Sequence, residues 1–313
     1  MHLIKDTTDI KLHHPTVVTI GTFDGIHVGH RKIIEQLLKA SEAHKLQSTI
    51  LTFFPHPRMV LQQNVGLKLI DTIEERIEIL RSTGIDNLIV YPFTKDFSRF
   101  SAQDYIEKIL VKQLHAKRVI IGYDHHFGRN RTADINDMRH YGHEFGFEVE
   151  EIPEQDVDDV SVSSTKIRKA LEKGDIEKAN RYLGAPFILS GKVIRGKQLG
   201  QKLGYPTANL NIAKDYKLIP KNGVYVVQSE IEGKLYHGMM SIGTNPTVGG
   251  HERTIEAHFF GWNDDLYDKF LTVQLLSRIR DEKHFSNLDE LIAALKRDEE
   301  VSKVFFQSDH LKA

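Results

Sequence analysis

The sequence predicts a two-domain fold, in which an α/β domain with a parallel sheet is followed by a small antiparallel β-barrel domain with a C-terminal helix. Three observations predict it. The chain has 313 residues, enough for about two domains of ordinary size. Strand-like and helix-like patterns alternate in the first half, as they do where helices cover both faces of a parallel sheet. After residues 184–186 (G-A-P), strand-like runs follow one another with glycine-rich turns between them.

In the first half, short runs of apolar and β-branched residues predict five strands, at residues 16–20, 48–54, 87–91, 118–122 and 147–152. Apolar residues at helical spacing predict helices at residues 33–38, 73–80, 101–114, 164–173 and 175–183. Ser101 is placed to cap the third of these helices. Ligands of such sheets bind at the carboxyl ends of the strands, so motifs that follow strands are candidates for function.

The second half predicts strands at residues 187–195, 223–230, 234–242, 254–260 and 270–276. Residues 231–233 (I-E-G) suit a hairpin turn between the second and third of them. Only residues 287–300 have a helical pattern, with their apolar residues on one stripe. The change of pattern near residues 183–186 predicts two domains, residues 1–184 and 185–313.

Composition and charge exclude several classes of function. Hydrophobic residues make up 40% of the chain and charged residues 27%, which is typical of a globular protein. The net charge of −1 gives no bulk attraction to nucleic acid or anionic lipid. The absence of cysteine excludes disulfides and thiolate chemistry. With no membrane-length apolar run and no signal-peptide pattern, we expect a cytoplasmic protein without nucleic-acid or membrane partners; composition says nothing about its oligomeric state.

The first chemical signal is G-T-F-D-G-I-H-V-G-H at residues 21–30, which follows a predicted strand and precedes a predicted helix. His27 and His30 are three residues apart and therefore share one face of the first helical turn. A helix N-terminus favours phosphate through its free N–H groups and its dipole, and Gly29 lets a ligand approach the backbone closely. The spacing indicates a phosphate-binding turn with two imidazole donors.

The second signal is S-V-S-S-T-K-I-R at residues 161–168, where hydroxyl side chains lead into a helix that carries Lys166 and Arg168. Such a helix start is suited to phosphate, and its cations could offset charge on a leaving pyrophosphate. By itself the segment fits an ordinary helix cap equally well. Two further segments, F-P-H-P at residues 54–57 and G-Y-D-H-H-F-G at residues 122–128, follow the second and fourth predicted strands.

In this order, the four segments resemble the FMN adenylyltransferase module of bacterial bifunctional riboflavin kinase/FAD synthetases. The resemblance implies a Rossmann-like, nucleotidylyltransferase-type fold for the first domain. It implies that FMN attacks the α-phosphorus of ATP directly, with Mg²⁺ as counter-charge and His27 and His30 as the catalytic pair. The implied contacts of ATP are Gly21, Phe23, Asp24, Gly29, His30, Asp124, Ser163, Ser164, Thr165 and Arg168, and those of the flavin are Phe54, His56, Pro57 and Phe127.

In the second half, spaced glycines lead to G-Y-P-T-A-N at residues 204–209. They suggest a flexible loop that passes close to phosphate, although the sequence of a P-loop is absent. Thr207 and Asn209 are two residues apart in a segment expected to be extended, so both point to the same side. A hydroxyl and an amide oxygen are hard ligands suited to Mg²⁺.

A second polar cluster lies at residues 253–260 (R-T-I-E-A-H-F-F), which place Thr254, Glu256 and His258 on one face of a predicted strand. A carboxylate that faces a phosphate site is a candidate general base, whereas a single glutamate on an amphipathic strand is usually just solvated. The surrounding motifs favour the base. The glycine-rich element at residues 191–209 resembles that of flavokinases. The resemblance extends to G-V-Y at 223–225, I-G-T-N-P-T at 242–247, T-I-E-A-H at 254–258 and R-I-R-D-E-K-H-F at 278–285.

This second resemblance implies that Thr207 and Asn209 hold Mg²⁺ and ATP, and that Glu256 deprotonates the 5′-hydroxyl of riboflavin. Arg278 and Phe285 would contact the flavin from a flap over it. The implied contacts of ATP and its phosphates are Gly191, Val193, Gly196, Gly204, Pro206, Thr207 and Asn209. Together the two resemblances cover nearly the whole chain and imply riboflavin, FMN, FAD and ATP as its small-molecule partners.

Two other functions stay open at this stage. The chain could have one active half and one vestigial half, but both sets of motifs are retained. It could instead be a non-catalytic flavin-binding or regulatory protein. That function predicts the loss of Glu256 or Thr207, or an added nucleic-acid-binding segment, and the sequence has neither feature.

Overall fold

A computed structural model of the chain describes residues 1–62, 66–122, 125–152, 162–196, 200, 203–244 and 253–309. The chain divides into two compact units, Met1–Ser164 and Thr165–Ala313. Within the described ranges, no helix is both long enough and apolar enough to cross a bilayer.

The first unit is built on a six-stranded sheet in which every neighbouring pair of strands is parallel. Its strands are β1 (His2–Lys5), β2 (Thr16–Ile20), β3 (Gln47–Phe54), β4 (Asn87–Pro92), β5 (Ala116–Gly122) and β6 (Glu148–Ile152). They lie in the order β1-β4-β3-β2-β5-β6. β3 and β4 lie on one side of β2, whereas β5 and β6 lie on the other. The strand order therefore changes direction between β2 and β5, and the carboxyl ends of these two strands flank the switch point at which such sheets bind ligands.

Helices connect these strands and cover the sheet. They are α1 (Val28–His44), α2 (Pro57–Leu61), α3 (Ile73–Arg81), α4 (Ala102–Asp104) and α5 (Ile135–Phe145). Ser101 caps α4, as predicted, by accepting the N–H of Asp104. The chain then continues as a π-helix, Tyr105–Gln113, rather than as the α-helix that the apolar spacing predicted.

The hydrophobic core of the first unit consists of two clusters, one on each face of the sheet. On β2, Val17 packs into one cluster, whereas Val18 and Ile20 pack into the other. All five residues of β2 are buried, because a parallel strand in the middle of a sheet is covered by helices on both sides. This confirms the predicted α/β layering.

The second unit contains a closed six-stranded barrel, with the strand order β10-β11-β8-β7-β12-β9 and antiparallel pairing throughout. Its strands are β7 (Phe187–Ile194), β8 (Ala208–Asn211), β9 (Gly223–Ile231), β10 (Lys234–Thr244), β11 (Arg253–Phe259) and β12 (Phe270–Asp281). The predicted hairpin turn joins β9 to β10, with Glu232 and Gly233 both at positive φ. The barrel closes because β12, bent at two register shifts, pairs with β9 from Val273 to Asp281.

Three helices complete the second unit: α6 (Ser164–Lys173), α7 (Ile176–Leu183) and the C-terminal α8 (Leu288–Asp309). The side chain of Asn180 on α7 donates to the carbonyl oxygen of Leu275 on β12 and accepts the N–H of Phe187 on β7. Nearly all of α6 and the whole of α7 therefore belong to the same compact unit as the barrel. The predicted domain boundary near residues 183–186 stays a prediction.

Several elements differ in extent from those predicted. β1, β8, α2 and α5 were not predicted. β12 extends to Asp281 and α8 to Asp309, beyond the predicted ends at residues 276 and 300. β12 is longer because its polar second half is ordered by pairing with β9, and this does not depend on an apolar pattern.

Candidate functional site

The histidine motif lies at the end of β2, beside the switch point of the sheet. His27 is the N-cap of α1, and its Nδ1 accepts the backbone N–H of His30 at 3.3 Å. The two imidazole rings are stacked, with centroids 3.7 Å apart. Because Nδ1 of His27 accepts a hydrogen bond, the neutral ring carries its proton on Nε2, which leaves that atom as a donor to a ligand.

The surroundings keep both imidazoles neutral. Burial lowers the pKa of His27 to about 4, and the nearby Asp24 carboxylate opposes this only in part. Burial, the neighbouring His27 and the Arg76 guanidinium lower the pKa of His30 well below its ordinary value. The Nδ1 atom of His30 is itself buried, with no hydrogen-bond partner in the part of the chain that the structure describes. The pair therefore offers hydrogen bonds to an anion but brings no net charge.

The hydroxyl motif meets the histidine loop directly. Ser164, the first residue of α6, donates its hydroxyl proton to the carbonyl oxygen of Asp24 at 2.8 Å. Arg168 lies four residues further along α6 and so on the same face of the helix as Ser164. Ser164 is the last residue of the first unit and thus lies against the loop that carries Asp24, although the two are far apart in the sequence. Arg168 belongs to the second unit. Asp124 lies outside the described residues.

Aromatic side chains surround the carboxyl ends of β3 and β4. Phe97 is their centre: its ring lies 4.8–6.1 Å from those of Phe53, Tyr91, Phe93, Phe100 and Tyr105. Phe127, a predicted flavin contact, joins this cluster through Tyr105, with ring centroids 5.9 Å apart. Phe97 is not among the predicted flavin contacts, although the spacing of phenylalanines after β4 is a usable signal.

The other predicted flavin contacts of the first unit lie apart from this cluster. Phe54 packs into the core on the opposite face of the sheet from Phe127. His56 is the N-cap of α2, where its Nδ1 accepts the N–H of Arg58, and Pro57 is the first residue of that helix. These residues end β3 and open α2, so they lie at the carboxyl edge of the sheet.

The kinase-type motifs come together on the barrel. Thr207 donates its hydroxyl proton to Oε2 of Glu256 at 3.1 Å. Asn209 on β8 is the direct cross-strand partner of Glu256 on β11, so their side chains lie on the same face. A hydroxyl, an amide oxygen and a carboxylate are thereby gathered in one place, and these are the oxygen ligands that suit Mg²⁺.

The glycine spacing has a structural reason at three positions. A Cβ atom at Gly196 would lie 2.3 Å from the amide nitrogen of Asn209, so a larger residue there would have to displace this side chain. Gly204 has a φ of +81°, a conformation that favours glycine. Gly191 passes equally close to the neighbouring strand, with a Cβ position 2.6 Å from the carbonyl oxygen of Asn211.

A cavity of about 370 Å³ opens beside this group. Three of the predicted ATP contacts, Val193, Pro206 and Thr207, line one side of it. The other side is formed by residues 262–267 (W-N-D-D-L-Y), which follow β11. This segment is not among the predicted site residues, because nothing in its local sequence pattern shows that it folds back towards Thr207.

The predicted flavin flap is the second half of β12 and the segment after it. Arg278 donates to the carbonyl oxygen of Asn222 at 2.8 Å and to Asp281 at 2.7 Å, and its guanidinium lies over the ring of Tyr225. Lys221 and Arg278 hold the pKa of Asp281 at about 2.

Phe285 lines a separate cavity of about 310 Å³ between the flap and α8. The other residues that line it are Ile279, Arg280, Lys283, Ala294, Arg297, Asp298 and Val301. Residues 245–252, which include part of the I-G-T-N-P-T motif, lie outside the described residues.

Comparisons with known proteins agree with this geometry in both units. A family model described as FAD synthetase matches residues 9–166, and one described as riboflavin kinase matches residues 183–306. Curated proteins named bifunctional riboflavin kinase/FMN adenylyltransferase align along nearly the whole chain. Those of Buchnera aphidicola subsp. Schizaphis graminum and Listeria monocytogenes are 35% and 34% identical, with 98% and 95% of this chain and 99% and 98% of theirs covered. The Escherichia coli protein is 34% identical, with 93% of this chain and 92% of its own covered.

A solved structure also matches. It is described as a macrolide-efflux protein from Streptococcus pneumoniae, shares 33% sequence identity, and aligns with a TM-score of 0.86 over 96% of this chain and 98% of its own. That description names export, whereas the family models and the curated relatives agree on flavin chemistry.

The fold and the two sites define an ATP-dependent transferase with two separate centres, one of the nucleotidylyltransferase type and one of the flavokinase type. The chain belongs to the bifunctional riboflavin kinase/FMN adenylyltransferase family. Riboflavin, FMN, FAD and ATP are the substrates and products of this family.

Proposed function

We propose that the second unit of this chain phosphorylates riboflavin to FMN and that the first unit adenylylates FMN to FAD, each reaction consuming one ATP. The observation that carries this proposal is the hydrogen bond between Thr207 and Glu256. It joins a predicted ligand of ATP to a predicted base from a distant part of the sequence, beside a cavity large enough for a nucleotide base.

In the kinase reaction, we assign Glu256 the role of general base. It takes the proton of the riboflavin 5′-hydroxyl as that oxygen bonds to the γ-phosphorus of ATP, and ADP leaves. Thr207 fixes one oxygen of the carboxylate, which holds the base in position. Thr207 and Asn209 would hold Mg²⁺, and their hard oxygens next to a carboxylate fit this ion. When bound, Mg²⁺ neutralises charge on the transferred phosphate.

The two cavities of the second unit suggest where the substrates bind. We assign the cavity beside Thr207 to ATP, because Val193, Pro206 and Thr207 line it. The cavity that Phe285 lines combines apolar side chains with three cations, which suits the face and the carbonyl edge of a flavin ring. We also propose that Arg278, on the flap, contacts the flavin.

In the adenylylation reaction, a phosphate oxygen of FMN bonds to the α-phosphorus of ATP, and pyrophosphate leaves. We assign His27 and His30 as hydrogen-bond donors to the ATP phosphates at the N-terminus of α1. Because both imidazoles are neutral, positive charge must come from elsewhere. The dipole of α1, Arg168 and Mg²⁺ are its sources in this proposal.

The remaining predicted contacts are kept as proposals. For ATP they include the backbone of the histidine loop, Asp124 and the hydroxyls that open α6. For the flavin they include the aromatic side chains at the carboxyl edge of the sheet. We also propose that the enzyme works in the cytoplasm, which is supported by its use of ATP and by bacterial relatives named for flavin biosynthesis.

The test is a time course of the purified chain with riboflavin, ATP and Mg²⁺, in which the flavins are separated chromatographically. We expect FMN to appear first and FAD to follow, and we expect chelation of Mg²⁺ to stop both. His30→Ala should block the second step while FMN still accumulates. No turnover of either flavin would favour a binding protein, and accumulation of FMN alone by the unaltered chain would mean that the first unit is vestigial.

A further inference from the structure

The loop at residues 22–26, directly before the paired histidines, has an unusual backbone conformation. Phe23, Gly25 and Ile26 have φ values of 48°, 88° and 25°, and two of these residues are not glycine. Such conformations persist only where the surrounding structure holds them. His27 follows immediately, so whatever holds this loop also determines where the two imidazoles lie.

Two buried carboxylates tie the loop to the segment that leads into α3. Oδ1 of Asp24 accepts the backbone N–H groups of Ile70 at 2.9 Å and of Asp71 at 3.3 Å. In return, Oδ2 of Asp71 accepts the backbone N–H of Gly25 at 3.1 Å. Both aspartates are almost wholly inaccessible to solvent. The two connections run in opposite directions, so they fix the separation of the loop from the start of α3.

A buried arginine braces the same loop. Arg76, in the first turns of α3, is wholly buried, and its Nη2 lies 3.9 Å from Oδ1 of Asp24. Its Nη1 lies 3.5 Å from both the hydroxyl of Thr52 and the carbonyl oxygen of Phe53. The Thr52 hydroxyl in turn donates to the carbonyl oxygen of Thr22 at 3.1 Å. The guanidinium therefore contacts the loop directly through Asp24 and indirectly through Thr52.

The charge and the shape of a guanidinium explain why an arginine occupies position 76. A guanidinium away from water is costly unless opposite charge and hydrogen bonds compensate it, and Asp24 supplies the charge while β3 supplies oxygen acceptors. Only a forked, planar group can reach Asp24 and the end of β3 together, which a lysine ammonium cannot do. The positive charge of Arg76 also contributes to the lowered pKa of His30.

We propose that Arg76 and Asp71 are positioning residues for adenylyl transfer, which hold residues 22–26 so that His27 and His30 stay stacked at the N-terminus of α1. They act through the loop rather than on the substrate. The same brace supports the start of α6, because the carbonyl oxygen of Asp24 accepts the Ser164 hydroxyl. This inference rests on the proposed function of the first unit.

The test compares Arg76→Lys with Arg81→Lys, an exposed arginine of the same helix whose Nε lies 3.4 Å from the carboxylate of Glu78. FAD formation from FMN and FMN formation from riboflavin are measured on each preparation. A displacement of catalytic groups by about 1 Å can cost on the order of 10²-fold in rate. We therefore expect Arg76→Lys to lower kcat for FAD formation roughly 10- to 100-fold, with the KM for ATP changed less than about threefold. Arg81→Lys should match the unaltered chain, and the kinase activity of both variants should be unchanged.

A purely structural role would lower the folded fraction and leave the folded molecules fully active. The folded fraction is therefore measured by circular dichroism at the assay temperature, and the imidazole signals of His27 and His30 are followed by NMR. Asp71→Ala, which removes the acceptor for the Gly25 N–H, provides a second variant and should show the same loss of kcat. A normal kcat per folded molecule in both variants would overturn the inference. A normal rate in His30→Ala as well would instead reject the proposed function of the first unit.

Discussion

At the scale of single residues, the kinase site depends on a carboxylate whose position is set by one hydroxyl. Thr207 holds Oε2 of Glu256 at 3.1 Å, and Asn209 lies directly across the strand pair from it. A primary hydroxyl is a poor nucleophile at neutral pH, so a positioned base matters to the reaction. The arrangement thus turns a glutamate on an amphipathic strand into a candidate catalytic group.

We predict that Glu256→Gln slows FMN formation by about 10²- to 10⁴-fold, the usual contribution of a general base. Glutamine is nearly isosteric but cannot accept the proton, so riboflavin affinity should change little. The same preparation, supplied with FMN, should form FAD at the normal rate. Glu230→Gln, at an exposed position on the same barrel, is the matched control. Normal phosphorylation by Glu256→Gln would mean that another group is the base.

Neutral, buried histidines also make the first unit sensitive to acid. Burial lowers the pKa values of His27 and His125 to about 4, from an ordinary value near 6.5. Between these values, the unfolded chain binds protons that the folded chain does not. The free energy of unfolding should therefore fall as the pH decreases from about 6.5 to about 4, by up to about 1.4 kcal/mol per pH unit for each such histidine.

Urea unfolding at several pH values tests this second prediction. Circular dichroism follows both units, and the fluorescence of Trp262, the chain's one tryptophan, reports the barrel separately. His125→Gln should flatten the acid dependence of the first unit, whereas His14→Gln, at an exposed position, should leave it unchanged. An acid dependence that is the same in both variants would contradict the assignment to buried histidine.

At the scale of elements, α8 connects the two sides of the kinase site through adjacent residues. Asp298 accepts three hydrogen bonds from Arg280 on the flap, at 2.9, 3.2 and 2.7 Å. Glu299 accepts the Tyr205 hydroxyl at 2.8 Å, next to Thr207. Burial and the neighbouring Glu299 raise the pKa of Tyr205 to about 12, so the tyrosine stays a donor. The helix therefore braces both the glycine-rich segment and the flap.

We predict that Arg280→Met destabilises the barrel by roughly 2–4 kcal/mol, because it leaves the buried Asp298 carboxylate without its partner. The double variant Arg280→Met/Asp298→Leu should recover much of this loss, since removing both charges avoids the uncompensated one. The measurement is urea unfolding followed by the fluorescence of Trp262. Lys283→Met, at an exposed position nearby, should have little effect. A double variant as unstable as the single one would show that the packing of Arg280, rather than its charge, matters.

At the scale of the whole molecule, the barrel is not complete without helices that precede it. Asn180 on α7 bonds to both β7 and β12, and the backbone carbonyl of Leu171 on α6 accepts the N–H of Lys221. Ile176, Ala179 and Leu183 are buried on α7. A stable kinase fragment should therefore include α7 and nearly all of α6 rather than begin at the start of β7.

We predict that the fragments 165–313 and 184–313 both phosphorylate riboflavin, since all the proposed kinase residues lie after residue 184. The longer fragment should be more stable by about 3 kcal/mol or more, from two side-chain hydrogen bonds worth about 1 kcal/mol each and from the apolar area that α6 and α7 bury. Urea unfolding of both fragments measures the difference. Equal stability would mean that these helices contribute nothing to the second unit, and a folded fragment without kinase activity would contradict the assignment of the sites.

The sequence by itself determined the class of fold and the motifs of both sites. β2 and α6 have the bounds predicted, Thr16–Ile20 and Ser164–Lys173, because a buried central strand is a short run of apolar and β-branched residues and an amphipathic helix has a helical periodicity. The histidine motif and the glycine-rich element were equally visible, since their chemistry depends on residue types at short spacing.

Only the tertiary structure decided which distant residues meet. β8 is four residues long and is held by pairing with β7 and β11, so no local pattern marks it. The contact of Thr207 with Glu256 depends on that pairing, and the brace of Arg76 on Asp24 depends on how α3 packs behind the loop. From residue type alone, an arginine such as Arg76 is expected at the surface. Its burial depends on the opposite charge and hydrogen-bond acceptors around it, and only folding brings these together.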